Sequence, residues 1–240
     1  MNCLILGKGN WGKKLSINLK KIITIKKSIN SSFNFKKIKL HNIDWVFIST
    51  PNNLHYKQTK YFLEKKINVF CEKPLAFKYH EVFELIKLSY KNSVKLYIDD
   101  IETFKNKSLS SLKKKNLIFR SKFKDFSFKE VLYSLFYHDF YLLKNNISLK
   151  SLKISIIEDT LLQKKFLIFS KKKEFLFVYK LQKAKKHFIN KTNFISNKNY
   201  IKIMLKSILT NKVNFEQNHK SALFCSLLID LILKEHKKFT

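Results

Sequence analysis

Turn-forming residues are almost missing: the 240 residues hold three glycines and two prolines. Arginine is rarer still, with Arg120 alone, and the three cysteines, Cys3, Cys71 and Cys225, lie far apart in apolar settings. Isolated thiols of this kind argue against a disulfide framework and against a metal site. They fit reduced, buried cysteines in a cytoplasmic protein. No apolar run reaches the ~18–20 residues that span a bilayer, so no membrane span is expected. The opening Met1-Asn2-Cys3-Leu4-Ile5-Leu6-Gly7 has no charged n-region and no cleavage site, so no secretory signal is expected either. The near-absence of arginine bears on the formal net charge of +32. Forked contacts to phosphates and base edges usually call on guanidinium groups. Lys, Ile, Asn and Phe are over-used while Gly, Pro and Ala are scarce, the pattern of an AT-rich coding sequence that puts lysine on every solvated face. No specific nucleic-acid partner is expected; weak, salt-sensitive attraction to polyanions would follow from the charge alone.

Hydrophobic residues make up 45% of the chain, enough for a globular protein of one large or two small domains. The few turn formers are concentrated. The short apolar run 2–6 meets Gly7-Lys8-Gly9-Asn10-Trp11-Gly12, followed by a segment with Leu15, Ile17 and Leu19 among lysines. Strand, G-x-G-x-x-G and helix form the dinucleotide fingerprint. Gly7 allows the tight turn, Gly9 lets backbone approach a pyrophosphate, and Gly12 lets helix and strand pack closely. The helix start, with Asn10 and Trp11, offers N–H groups and a partial positive charge to phosphates. Ile22-Ile23-Thr24-Ile25 reads as the second strand, ended by Lys26, Lys27 and Ser28. An acid that would hold the ribose diol is missing there and two ammonium groups stand in its place. That tilts the cofactor from NAD toward NADP.

Both prolines punctuate apolar runs. Trp45-Val46-Phe47-Ile48 reads as a strand buried on both faces, ended by Ser49-Thr50-Pro51-Asn52; a helical stretch follows from Asn53 to Lys66. Ile67-Asn68-Val69-Phe70-Cys71 is another strand, ended by Glu72-Lys73-Pro74. Ligands of open α/β sheets bind at such carboxyl edges. Residues 79–92 read as a packing helix, and Val94-Lys95-Leu96-Tyr97-Ile98 as the last parallel strand. Its end, Asp99-Asp100, pairs two carboxylates that suggest acid/base work, though a solvated strand end is the plainer reading.

Thr50-Pro51-Asn52-Asn53-Leu54-His55 and Val69-Phe70-Cys71-Glu72-Lys73-Pro74-Leu75-Ala76, with the glycine turn upstream, resemble the Gfo/Idh/MocA family of glucose-fructose oxidoreductases and inositol dehydrogenases over residues 1–80. The resemblance implies that Thr50, Pro51 and Asn52 line the nicotinamide side and that His55 supports their loop. It puts Glu72 and Lys73 at the mouth of the site and gives Lys73 a role beside the substrate hydroxyl. A lysine held at a strand end can orient an alcohol and relay its proton.

From about residue 101 the character changes. A short strand at 117–120 precedes a helix over 131–143, which resembles the family's D-x-x-x-H-x-x-D helix. His138 matches the acid/base histidine, while Ser134 and Tyr141 stand where the family has aspartates. On a regular helix 134, 138 and 141 share one face, and Asp139 points elsewhere. Strand-like runs at 152–157, 166–169, 175–181 and 187–194 alternate as in a half-buried antiparallel sheet. Asn or Lys must fill their turns, since glycine is absent there. The resemblance implies that this sheet closes the substrate site and makes a homo-oligomer contact. Amphipathic helices are expected at 200–209 and 217–234.

The expected fold is α/β: a Rossmann domain with a mostly parallel sheet at residues 1–100, then an α+β domain with an antiparallel sheet at 101–240, reduced for substrate and oligomer contacts. The expected function is an NAD(P)-dependent oxidoreductase of a sugar, polyol or nucleotide sugar, with Lys73 and His138 as its catalytic residues. Loss of the carboxylates at 134 and 141 motivates a second reading, a member that binds a nucleotide or partner without turnover.

Overall fold

A computed structural model of the chain describes residues 1–105, 112–122, 126–193 and 199–240. They divide into two units, Met1–Phe104 with Asn199–Leu227, and Lys105–Lys198 with Leu228–Thr240. The first unit therefore reclaims residues 199–227, which the sequence reading assigned to the second domain.

The first unit is built on a five-stranded parallel sheet of order β2-β1-β3-β4-β5. The strands are β1 (Asn2–Leu6), β2 (Thr24–Ile29), β3 (Trp45–Ile48), β4 (Asn68–Cys71) and β5 (Leu96–Ile98). Helices α1 (Asn10–Leu19), α2 (Asn52–Glu64) and α3 (Tyr79–Lys91) connect them. The central strands are apolar throughout because both faces are covered. On one face Leu4, Leu6, Val46, Ile48, Val69 and Ile98 meet Phe62 and Leu63 of α2 and Leu85 of α3. On the other, Cys3, Ile5, Trp45, Phe47, Phe70 and Tyr97 meet Leu15 and Leu19 of α1 and also Met204, Leu205 and Ile208. These last belong to α6 (Tyr200–Leu209). That face explains why the chain returns. Residues 30–44 form no α-helix that could cover it, only a 3₁₀ turn at Phe35–Lys37, so α6 completes the layer beside α1.

Strand β2 corrects the sequence reading. It runs to Ile29, not to Ile25, so Lys26 and Lys27 lie inside the strand and do not end it. The register with β1 sets its length, pairing Leu4 with Lys27 and Leu6 with Ile29. As an edge strand it tolerates lysines that reach into solvent, and an apolar run alone marks only part of it.

The second unit carries a six-stranded sheet of order β11-β10-β6-β9-β8-β7. Its strands are β6 (Lys115–Lys122), β7 (Lys153–Asp159), β8 (Gln163–Ser170), β9 (Lys173–Leu181), β10 (His187–Ile189) and β11 (Thr192–Asn193). Phe194, expected at the end of a strand, lies outside the described residues. The sheet is mixed, since β6 and β9 run parallel while β7–β8, β8–β9 and β10–β6 pair antiparallel. Turns without glycine use Lys171, Lys172 and Asn190, with φ of 50°, 61° and 52°. Among the described residues between β6 and β7 lie α4 (Phe128–Val131), a π-helical turn (Leu132–Phe136) and α5 (Tyr137–Leu143). The last helix, α7 (Phe215–Phe239), begins in the first unit and ends in the second.

Candidate active site

At the carboxyl edge of the parallel sheet, Gly7 has φ +104°, and a Cβ there would lie 2.4 Å from the Ser49 carbonyl oxygen. A Cβ on Gly12 would lie 1.9 Å from the Gly7 oxygen and 2.9 Å from Ser49 Oγ. The Ser49 hydroxyl donates to the Leu6 carbonyl at 3.0 Å. Gly7, Gly12 and Ser49 thus lock the first turn, α1 and the end of β3 together, a packing role for Ser49.

Gly9 differs, because a Cβ there would meet nothing within 4 Å. Gly9 caps α1 without a side-chain hydrogen bond, and the first intrahelical bond is Lys13 N–H to Gly9 O at 2.9 Å. The N–H groups of Asn10, Trp11 and Gly12 precede that bond and face outward with the positive end of the helix dipole. Trp11 Nε1 is buried with no partner among the described residues. An open glycine, an uncapped helix start and an orphaned donor fit a diphosphate.

Ser49-Thr50-Pro51 leads from β3 into α2. Thr50 Oγ1 donates to Gln58 Oε1 at 2.6 Å. His55, on the first turn of α2, is 1% exposed. Its Nε2 lies 2.8 Å from the Thr50 carbonyl and its Nδ1 lies 2.7 Å from the Pro74 carbonyl. One imidazole therefore ties the loop after β3 to the loop after β4. Burial and the nearby Lys73 charge hold its pKa below the ordinary value, although both carbonyl contacts favour the charged ring. Pro51 and Asn52 are exposed beside it.

Glu72, Lys73 and a cis Pro74 follow β4. Glu72 and Lys73 are half-buried. Burial pushes the Glu72 carboxyl up, and Lys73 pulls it partly back. Against the sequence reading of a solvated end, Asp99 and Asp100 after β5 are 2% and 7% exposed. The Asp99 N–H donates to the Cys71 carbonyl at 2.9 Å, continuing the β4–β5 ladder. Burial, then Glu72 and Asp100, raise the Asp99 carboxyl well above the usual carboxylate range. Asn218, on α7, brackets the edge strand β5: its side chain accepts from Ile98 N–H at 3.0 Å and donates to Ile98 O at 2.9 Å.

The structure brings Gly7, Gly12 and Ser49 together, links Thr50 and His55 to Pro74, and sets Glu72 and Asp99 at the adjoining ends of β4 and β5. Lys26 and Lys27 do not join the strand ends, and Lys27 Nζ lies 5.4 Å over the Phe33 ring. The residue after β2 is the exposed Asn30, next to Ile29, whose carbonyl takes the Gly7 N–H at 2.8 Å. Strand length, set by the β1 register, hid Asn30 from the sequence reading.

In the second unit the π turn breaks the expected face. Ser134 and His138 are half-buried, but Tyr141 is buried and stacks on Tyr137 at 5.3 Å. The wider turn adds a residue and shifts the phase between 134 and 141. Ser134 Oγ donates to the Glu130 carbonyl at 2.6 Å. Asp139, next to His138, is fully buried and accepts from Arg120 Nε at 2.7 Å and from Tyr179 OH at 2.9 Å. His187 Nε2 lies 2.9 Å from the same carboxylate. Arg120, Tyr179 and His187 are register neighbours on β6, β9 and β10. Three adjacent strands thus fasten the residue beside His138. The one arginine in a lysine-rich chain was the sequence signal for this cluster.

A parallel sheet with a glycine turn, an open helix start and polar strand ends defines an NAD-binding Rossmann fold. Residues 23–99 match the model of the "oxidoreductase family, NAD-binding Rossmann fold", that is Gfo/Idh/MocA, and over that segment the chain is similar to this family. An uncharacterized oxidoreductase, YgjR, of Escherichia coli is 48% identical over 67 residues, 28% of this chain and 19% of that protein. The chain's matches to its first curated relatives thus span about a fifth of their length. Among solved structures, the WlbA (WbpB) dehydrogenase of Thermus thermophilus, in complex with NAD and alpha-ketoglutarate, has TM-score 0.76 at 15% identity and covers 95% of this chain and 94% of its own. The UDP-N-acetylglucosamine 3-dehydrogenase GnnA of Acidithiobacillus ferrooxidans has TM-score 0.76 at 12% identity and covers 97% of each chain. These likenesses establish the fold. Among the described residues no helix is long and apolar enough to cross a membrane.

Proposed function

We propose that the protein is an NAD(P)-dependent oxidoreductase acting on a hydroxyl or carbonyl carbon of a sugar, polyol or nucleotide sugar. The observation that carries this reading is the single imidazole of His55, which binds the Thr50 and Pro74 carbonyls and so fixes two strand-end loops beside the glycine turn. The bound nicotinamide supplies hydride chemistry. The chain's residues bind and handle protons. Gly9 and the N–H groups of Asn10, Trp11 and Gly12 receive the diphosphate, while Ser49, Thr50, Pro51 and Asn52 bound the nicotinamide side. Glu72 and Lys73 face the substrate, with Lys73 giving a proton to its oxygen or taking one. His138 serves as the second acid/base, imidazole being the side chain whose ordinary charge change falls near neutral pH. With no acid at Asn30-Ser31-Ser32, NADP is favoured over NAD. The buried thiols Cys3, Cys71 and Cys225 suit a reducing, cytoplasmic setting. The stacked Phe119 and Phe188 on the second sheet suit a homo-oligomer contact.

Titrating NADPH and NADH by nicotinamide fluorescence tests the reading, and no binding of either at millimolar levels would sink it. A second reading, a nucleotide-binding member without turnover, is favoured by Ser134 bonded to its own helix and Tyr141 buried in a stack. Lys73→Ala and His138→Ala separate the two. Each should lower kcat on a sugar substrate by about 10²–10⁴ if these groups move protons. Binding with no turnover across a polyol and nucleotide-sugar panel would favour the second reading.

A further inference from the structure

The adjoining ends of β4 and β5 hold three carboxyl groups, Glu72, Asp99 and Asp100. Asp100 is committed locally, accepting a short hydrogen bond from the Tyr97 hydroxyl. Asp99 is not. Its Oδ1 accepts the Ile101 N–H at 3.1 Å, while Oδ2 is buried with no partner among the described residues. An ionised carboxylate oxygen with no donor in a side chain that is 2% exposed is costly. A carboxyl that keeps its proton costs less there and gains a donor to offer. The ladder bond from Asp99 N–H to Cys71 O sets Asp99 beside the residue that follows Cys71, which is Glu72. Lys73 is next in the chain and acts electrostatically on both acids.

We propose that Asp99 is a positioning residue for Lys73: it shares one proton with Glu72 across the ends of β4 and β5, and the pair's single negative charge holds the Lys73 ammonium ready to protonate a substrate oxygen. This rests on the oxidoreductase reading. When Lys73 protonates an alkoxide, its N–H bond breaks and the substrate O–H bond forms. The amine then takes the shared proton, and the doubly ionised pair regains one from solvent. Oxidation runs the path in reverse.

The other titratable groups around Lys73 shift as follows. Burial lowers the His55 imidazole on α2, against the two carbonyl contacts that raise it. The thiols of Cys71 and, on α7, Cys225 are pushed up by burial, as is the Tyr97 phenol, by burial and then Asp100. Two acids with one proton are therefore the group that adjusts to Lys73.

The test uses the full chain without nucleotide. Infrared difference spectra between pH 7 and pH 10 should show a protonated-carboxyl C=O stretch at pH 7 in the wild type, lost in Asp99→Asn. Its absence from the wild type would overturn the proposal. Acetic anhydride labelling, read peptide by peptide, should proceed about tenfold faster at Lys73 at pH 8 in the Glu72→Gln, Asp99→Asn double variant, which removes the pair's single negative charge, a fall of about one unit in the lysine pKa. Asp99→Asn alone leaves that charge on Glu72 and should label within about twofold of wild type. Labelling within about twofold of wild type in a folded double variant would also overturn the proposal. If the double variant fails to fold, the infrared comparison of wild type with Asp99→Asn decides. NADPH titration of the same samples separates the two claims. A carboxyl band with no nucleotide binding removes the oxidoreductase reading and leaves the shared proton standing. Nucleotide binding without the band removes the shared proton alone.

Discussion

Arg120 and Asp139 share a 2.7 Å charge-assisted hydrogen bond between side chains that are 11% and 0% exposed. Tyr179 and His187 complete the cage, so α5 is fastened to β6, β9 and β10 at one carboxylate. Burial alone would push the Asp139 carboxyl up, but Arg120 and His187 bring it below the usual range. Removing one partner of a buried pair strands the other charge. Arg120→Ala should therefore destabilise the second unit by about 3–5 kcal/mol, read as lost hydrogen-exchange protection in β6 and α5. Because the folded pKa is depressed, this stabilisation is present above the unfolded value of ~3.9 and fades as pH falls below it. Protection in Asp139→Asn should vary less across that acid range than in wild type, and equal variation would show that the carboxylate is not the acid-sensitive group.

His55 gives a second pH handle in the first unit. Its folded pKa is lowered, chiefly by burial, so the unfolded chain binds the proton more readily. The contribution is present above ~6.5 and is lost as pH falls below that value. Thermal melts should show a drop in Tm from pH 8 to pH 5 that His55→Asn reduces. His55→Ala leaves the buried Thr50 and Pro74 carbonyls without their ring contacts and should cost about 1–3 kcal/mol for each group left unpaired.

The sequence made much of the first unit readable, for physical reasons that particular residues show. Buried parallel strands are continuous apolar runs, and the rare Gly and Pro cluster at strand ends and at the start of α1. Gly7, Gly12, Pro51 and Pro74 therefore marked the turns directly. What escaped depended on partners distant in sequence. The end of β2 is set by Leu6 opposite Ile29, not by hydropathy. The burial of Asp99 depends on the Cys71 carbonyl and on α7 covering an edge. The phase of His138 depends on a π turn, which leaves no periodicity in 131–143 to detect. The Asp139 cage needs three strands in register. Of the candidate site, the glycine turn and the loops after β3 and β4 were legible because their motifs are local, whereas the groups around Asp99 and Asp139 are made by tertiary contacts.

Gly9 and Gly12 should respond differently to one methyl group. Gly9→Ala meets open space and should fold with a loss of no more than ~1 kcal/mol, the usual scale at an N-cap. Its methyl lies on the face assigned to the diphosphate, so NADPH affinity should fall at least tenfold, about 1.4 kcal/mol. Gly12→Ala drives its Cβ into the Gly7 carbonyl, a contact of 1.9 Å that backbone must move to relieve. It should lower Tm with or without nucleotide. Equal affinity for NADPH in Gly9→Ala and wild type would remove Gly9 from the nucleotide site.

Asn30 is the position at which the cofactor preference can be tested. It follows Ile29, whose carbonyl receives the Gly7 N–H, so it stands at the strand end beside the glycine turn. Its side chain is exposed, and a substitution there should leave stability within about 0.5 kcal/mol. A carboxylate at this point accepts hydrogen bonds from a ribose diol and repels a 2′-phosphate. Asn30→Asp should therefore tighten NADH and weaken NADPH, moving the ratio of their dissociation constants at least tenfold toward NADH, about 1.4 kcal/mol. Lys26→Ala with Lys27→Ala serves as the comparison. These side chains lie within β2 and not at its end, so the double variant should shift the ratio less than Asn30→Asp does. Fluorescence titrations of both nucleotides at one fixed ionic strength make the measurement, because 49 basic residues attract any phosphate at low salt. A ratio unmoved by Asn30→Asp but moved by the lysine pair would return the ribose contact to Lys26 and Lys27.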